Sequence, residues 1–337
     1  MSVVRAEWRR LFARRFTRIM LAIVVALFAA VAIGVAVNYH RITAADRAAA
    51  QQQMVADQQQ MTTQLAECQR EQSDPGAAGP YNPLPPGMTC DEMFSPPQLD
   101  WFLPSEWVLT EQAKAMLTVF GGLIALFGFA VGASYVGAEW SSGGMTNLLL
   151  WRPRRVPLLA AKLGTLLAGV AVSGLGLLVL WAGMLSAIAA TRGHFGHLTT
   201  GVVESMALSG ARGITLALAT AALGFAIATV GRSTVAALGV AIGYVIVIEA
   251  AGHLVFANML HLAKPERFFL SSYASAWLTK KISFSTAGVC TVTPGGGQEC
   301  GVTDWSISMS HAAVVVGLLL AVVLAWAFVA FRRRDVT

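Results

Sequence analysis

Apolar residues in this chain fall in long unbroken runs rather than in alternation. Six runs, 19–37, 115–138, 163–191, 213–231, 233–256 and 305–331, meet or approach the length of helix that crosses a hydrocarbon core. That core is roughly 30 Å thick and takes about 20 residues. Five runs hold no charged side chain, and the run 233–256 holds one, Glu249. Lipid-facing strands would have to alternate, so continuous apolarity predicts helices and not a barrel. The pattern reads as an all-α integral membrane protein with six transmembrane helices. The first run exceeds a signal-peptide core of about 7–15 residues, and 18 residues precede it, so it reads as a retained span.

The polar segments between the runs have their own periodicity. In residues 1–18, Val4, Trp8, Leu11, Phe12 and Phe16 share one face of a helical wheel, with Arg9, Arg10, Arg14 and Arg18 mostly opposite. That predicts an amphipathic elbow helix lying in the membrane interface, with Trp8 and Phe12 sunk and Arg9 and Arg10 on the headgroups. The first span then covers 19–38. A long loop, 39–112, opens with an Ala- and Gln-rich helical stretch carrying Met54, Met61 and Cys68 at intervals of seven. Eight prolines follow within 75–104, where helix cannot continue. The second span covers 113–136, a connecting segment 137–157, the third span 158–190, a short loop and the fourth span 191–231, and the fifth 232–256. A loop at 257–304 places Phe269, Tyr273 and Trp277 four apart, which suits a helix resting at the interface. The sixth span is 305–331, followed by a tail at 332–337. Gly128 with Gly132, and Gly239 with Gly243, have the spacing of close-packed helices.

The net charge of +6 resolves once it is divided by side. If the N-terminus is cytoplasmic, 14 of the 24 Lys and Arg face the cytoplasm with only Glu7, Glu139 and Asp335 among the acids. The outer segments hold ten basic and 14 acidic residues. This is the positive-inside bias, and it predicts both termini inside. The charge therefore reports topology in a cell membrane and gives no reason to expect nucleic acid. All four cysteines fall on the opposite side, Cys68 and Cys90 in the first outer loop and Cys290 and Cys300 in the last. Four cysteines allow three pairings. The local bridges Cys68–Cys90 and Cys290–Cys300 are the simplest, and the oxidising exterior permits them. The expectation is a helical, disulfide-bearing extracellular cap.

Several chemistries find no support. The chain has no G-x-x-x-x-G-K-[ST] phosphate loop, no H-E-x-x-H and no G-x-S-x-G. Its six histidines have no recognised metal spacing, so no metal site and no catalytic residue is expected. Glu249, the one charge inside a span, is a functional candidate by default. It lies about 25 Å from Arg232 along a helix, near the outer edge. His253 is one turn on, and the two read either as a structural pair or as a gate or substrate contact.

The segment after the second span is the most informative. It carries Glu139, then Ser141 and Ser142 as candidate caps, Gly143-Gly144, the apolar Met145, Leu148, Leu149 and Trp151, and the basic Arg152-Pro153-Arg154-Arg155 before Lys162. An apolar helix held below the bilayer by arginines suits either the interface or a groove of a soluble partner. In six spans, an N-terminal elbow and this order of residues, the chain resembles the permease subunits of type-2 ABC exporters. The resemblance implies that Glu139, Gly143, Gly144, Met145, Leu148, Leu149, Trp151, Arg152, Arg154 and Arg155 couple to a separate ABC ATPase subunit. It also implies pairing with a second permease copy or a sister permease. This chain would then be no enzyme by itself and hold no cofactor, with ATP and Mg on the partner ATPase. Its substrate would be hydrophobic or amphipathic (a lipid, peptide or drug), and membrane lipids would surround it. A long, cysteine-bearing first outer loop departs from many relatives. The alternative is a non-transporting membrane scaffold or sensor whose extracellular cap binds a partner.

Overall fold

A computed structural model describes residues 3–74, 79–81, 88–145, 147, 155–260, 262, 264–292 and 298–333. Six helices among them are long and apolar enough to cross a membrane: Arg15–Asn38, Leu109–Ser141, Arg155–Arg192, Thr200–Gly231, Thr234–Leu254 and Met309–Arg333. The chain divides into two compact units. The first contains Met1–Val31, Thr110–Leu185 and Gly196–Thr337, and the second contains Ala32–Leu109 and Ser186–Phe195.

The first unit begins with α1 (Val3–Ala13), and α2 (Arg15–Asn38) follows after a one-residue break at Arg14. Arg15 to Arg18, assigned by the wheel to the elbow, therefore open the first apolar helix instead. The α5 helix (Leu109–Ser141) and α7 (Thr200–Gly231) approach closely through small residues. A Cβ on Gly128 or Gly132 would meet the carbonyl oxygens of Ala217 and Ala221, and one on Gly224 would meet that of Phe129. Thr220 adds a hydroxyl bond of 2.7 Å to the Ala125 carbonyl. Gly128 and Gly132 thus bring two backbones together, whereas a Cβ on Gly239 or Gly243 would meet open space.

Between them in sequence runs α6 (Arg155–Arg192). A tight turn joins α7 to α8 (Thr234–Tyr244), with Arg232 at φ +53° and the Ser233 hydroxyl accepting from the Val235 amide at 3.1 Å. Helix α8 continues with wide π turns at Val245–Ala251 and Val255–Met259 around Gly252–Leu254.

Beyond it, a 3₁₀ turn at Pro265–Phe268 leads into α9 (Leu270–Thr279). Its aromatic side was expected to rest at a lipid interface, but it packs against protein. Phe269 and Tyr273 are buried, and the Trp277 indole donates to the Arg212 carbonyl at 3.0 Å. Against α9 also lies a feature absent from the sequence reading of the loop 257–304, an antiparallel hairpin of β3 (Lys281–Val292) and β4 (Gln298–Ser308). Ile282, Phe284, Trp305 and Ile307 pack with Tyr273, Ala276 and Ala312 in one cluster. The hairpin takes Trp305 to Ser308 as strand, so α10 (Met309–Arg333) starts four residues later than the apolar run. Cys290 and Cys300 are register partners on the two strands.

In the second unit, α3 (Ala44–Ser73) starts at a reciprocal cap. The Asp46 carboxylate accepts from the Thr43 amide at 2.8 Å, and the Thr43 hydroxyl accepts from the Asp46 amide at 3.2 Å. The short α4 (Cys90–Met93) has the same device in Thr89 and Glu92. A disulfide joins buried Cys68 on α3 to Cys90, with Cα atoms 6.0 Å apart. Elsewhere in this unit β1 (Trp107–Val108) pairs in parallel with β2 (Gly193–His194), and Arg41 donates to the carbonyls of Ala190 and Gly193.

Candidate functional site

The helices that open and close the 142–154 segment meet α1 at a cluster of charges. Lys162, one helical repeat into α6, has no solvent exposure at all. An ammonium withdrawn from water that far is retained as a charge only beside compensating anions. Two carboxylates supply them. Lys162 donates to Glu7 Oε2 at 3.0 Å and stands 2.8 Å from Glu139 Oε2, a contact ionic in character rather than a well-directed hydrogen bond. Glu7 belongs to α1 and Glu139 to the last turn of α5, so a single side chain ties three helices.

The network extends outward from this centre. Arg14, in the break between α1 and α2, donates to Glu139 Oε1 at 2.6 Å and to the Tyr135 carbonyl at 2.8 Å. The Tyr135 hydroxyl donates to Glu7 Oε2 at 2.6 Å, and both Arg14 and Lys162 lie within 5.3 Å of its ring centre. Arg10 reaches Glu7 Oε1 at 3.2 Å from the water side. Burial by itself would raise the Glu7 carboxyl, but the Tyr135 hydroxyl and the Lys162 and Arg10 charges outweigh it and hold the pKa below 4.5.

The elbow residues divide by face. Leu11 is buried where α1 meets α6, since a Cβ on Gly169 would overlap its side chain. Trp8 and Phe12 pack in a tilted pair with ring centres 5.1 Å apart and are half-buried, whereas Arg9 is exposed.

Beyond Glu139 the chain turns sharply. Ser141 and Ser142 do not cap a following helix as expected; their hydroxyls bond back to carbonyls of α5, those of Ala138 and Glu139 among them. Gly143 at φ +71° ends α5, a conformation that costs glycine nothing. Gly144 and Met145 then begin a new turn, with Met145 fully buried. Leu148, Leu149, Trp151, Arg152 and Arg154 lie outside the described residues. Arg155 opens α6 and donates to the Arg332 carbonyl at 3.3 Å. Arg232 covers the Trp140 ring at 5.0 Å, and Trp140 meets Phe331 edge-on at 6.0 Å.

Glu139 is 7% exposed and paired with Arg14 of the elbow segment and with Lys162. One expectation changes. Glu249 turns to α9, accepting from the Ser271 amide at 3.0 Å, the Ser271 hydroxyl at 2.5 Å and the Tyr244 hydroxyl at 2.8 Å. His253 instead stacks on Phe269 at 4.9 Å, so their one-turn spacing does not make them a pair. A carboxylate at the start of α9 complements the helix dipole, the natural use of an acid there. The side chains of Cys290 and Cys300 lie outside the described residues.

The sequence does not single out Glu7 or Tyr135. Glu7 shares a face with Arg10 and Arg14 at intervals of three and four, a spacing that any solvated charge can have, and nothing marks Tyr135 within its apolar run.

Among the described residues the arrangement contains no activated nucleophile and no poised acid–base pair. It is a buried charged junction of three helices. A family model described as ABC-2 family transporter protein matches residues 1–336. No curated protein and no solved structure matches the chain. With six apolar helices and a family match over nearly its whole length, the chain belongs to the ABC-2 transporter family and is a multi-pass permease subunit of the type-2 ABC class.

Proposed function

We propose that this permease works with a separate ABC ATPase subunit and exports a hydrophobic or amphipathic substrate across a bacterial-type cell membrane. In this reading both termini are cytoplasmic, α1 is the interfacial elbow, and the segment 137–157 is the coupling element. The observation that carries it is Lys162 bound between Glu7 and Glu139. The two helices that flank the coupling segment are clamped to each other and to α1 by a charge cluster that cannot loosen one contact at a time. Displacement of the segment by closing ATPases then moves α1, α5 and α6 together. Dispersed force would be lost in side-chain rearrangement, whereas a buried network transmits it.

A second permease, either a copy or a sister chain, completes the pathway. The open face at Gly239 and Gly243 on α8 supports that expectation. The Cys68–Cys90 unit would stand on the extracellular side as a cap, with Cys290–Cys300 bridging the hairpin there.

Co-purification in mild detergent tests the reading. An ABC ATPase from the same cells is expected to come down with the intact chain and to be lost when Leu148 and Leu149 are changed to Asp. Glu139→Gln is expected to keep the ATPase bound yet lower substrate-stimulated hydrolysis. Absence of any ATPase from the intact complex would refute the assignment of the coupling segment.

A further inference from the structure

The helix that carries Glu249 is not wound evenly. After Tyr244, α8 opens into wide turns at Val245–Ala251 and again at Val255–Met259. Turns of this i→i+5 kind are rare and occur mostly as single turns set into an α-helix, frequently at functional sites. The winding decides what Glu249 can reach. At about 3.6 residues per turn, residues five apart in an α-helix point roughly 140° away from each other. Tyr244 and Glu249 are five apart, yet across the wide turn the Tyr244 hydroxyl donates to Glu249 Oε1 at 2.8 Å.

This alignment is used against the start of α9. The Tyr244 hydroxyl accepts from the Leu270 amide at 2.8 Å, and Glu249 accepts from the Ser271 amide at 3.0 Å and its hydroxyl at 2.5 Å. Leu270 and Ser271 open α9, where amides have no partner within the helix itself. The second wide turn continues the contact. His253 stacks on Phe269 at 4.9 Å, and Phe256 meets Phe268 at 5.3 Å and Phe269 at 6.0 Å. Between the two turns Gly252 is buried, and a Cβ there would approach the Phe269 ring to 3.3 Å. The wide turns of α8 and residues 268–271 are therefore one packed unit.

We propose that α8 is a two-register switch, held in its wide register by the grip of Tyr244 and Glu249 on the start of α9. When residues 268–271 withdraw, the wide turn loses the contacts that favour it, and Val245–Ala251 winds into regular α-helix. That conversion advances everything beyond it by one residue, about 100° around the axis and about 1.5 Å along it. His253 and Phe256 then leave the side that faced Phe269. The two states exclude each other, and contacts made in only one of them set the balance, as a switch requires. The switch is independent of the transport reading, because it involves no residue of the coupling segment.

Double electron–electron resonance on the full chain in lipid nanodiscs tests it. Cys290→Ser and Cys300→Ser leave the Cys68–Cys90 disulfide, which takes no spin label. Labelled cysteines then replace exposed Leu208 on α7 together with exposed Leu254 or Val255 on α8. The last two point about 100° apart, so a one-residue turn of the helix must change at least one of the two distances, by roughly 4 Å or more. Glu249→Ala/Ser271→Ala is expected to show that change. Tyr244→Phe, the milder variant, removes two of the four hydrogen bonds and should show both distances side by side. Deleting Val247, which is 60% exposed, brings Tyr244 and Glu249 to a spacing of four, the one that an α-helix aligns. In that background Glu249→Ala/Ser271→Ala should leave both distances unchanged. Circular dichroism and thermal melting verify that each variant stays folded. Wild-type distances alone in both substituted variants would overturn the switch. So would a change that persists in the deletion background, or a broad spread with no second discrete distance, which would mark unwinding.

Discussion

Lys162 is the residue on which the charge cluster turns, because among the described residues it alone pairs with acids from two other helices. Replacing it with Met leaves Glu7 and Glu139 buried without their shared cation, and such a loss costs roughly 3–5 kcal/mol. Thermal unfolding in detergent is expected to show that drop, and the double variant Glu7→Gln/Lys162→Met should recover part of it because Glu139 keeps Arg14. Recovery in the double variant is the signature of a pair, which mere loss of packing would not give. Glu7 makes the cluster sensitive to acid. Its folded pKa lies below the ordinary 4.5, so its contribution is complete above 4.5 and fades as pH falls through the lower folded value. The wild type should therefore lose more stability between pH 5 and 3 than Glu7→Gln does, measured by melting temperature across that range. At this scale Glu139 and Lys162 were legible from the order of residues around the 137–157 segment. Glu7 was not, since an acid inside a basic amphipathic helix resembles any solvated charge until its partner is known.

At the scale of helices, contact between α5 and α7 rests on the missing side chains of Gly128, Gly132 and Gly224. Gly132→Ala would push a methyl group into the Ala221 carbonyl, and overpacking of this kind costs about 1–3 kcal/mol. Gly239→Ala meets no atom within 4 Å and should leave the melting temperature of the single chain unchanged. Comparing the two by thermal melting separates a glycine that packs within the chain from one on an open face. Both pairs have the same spacing in the sequence, so periodicity alone could not tell them apart. The β3–β4 hairpin had a readable signal. Ile282 and Phe284, then Trp305 and Ile307, alternate with serines, which is the period of a strand. The aromatic spacing of Phe269, Tyr273 and Trp277 suggested a lipid-facing helix, yet the hairpin and α10 cover that side. An apolar face says only that it avoids water, and membrane and protein serve equally.

For the molecule as a whole, the distribution of charge makes a prediction about sides. Cysteines introduced at exposed Ser142 and Gln58 should respond oppositely to a membrane-impermeant thiol reagent. Gln58→Cys should be modified on intact cells, and Ser142→Cys only after lysis. The reverse result would invert the topology and with it the assignment of the coupling segment. Six crossings, a polar helical insertion after the first and a basic turn-forming segment after the second were all visible in the linear pattern. Bilayer thickness and the cost of unpaired backbone in lipid leave few other arrangements for such runs.

By itself, then, the sequence determined what must leave water and how long each helix has to be, because both follow from local composition. The tertiary structure decided which charges neutralise which, which glycines bring backbones together, and that Glu249 serves α9 instead of His253. Those outcomes depend on distances between residues tens to hundreds of positions apart, from Glu249 and Ser271 to Glu7 and Lys162. Periodicity along one helix carries no information about the angle or height at which another helix meets it.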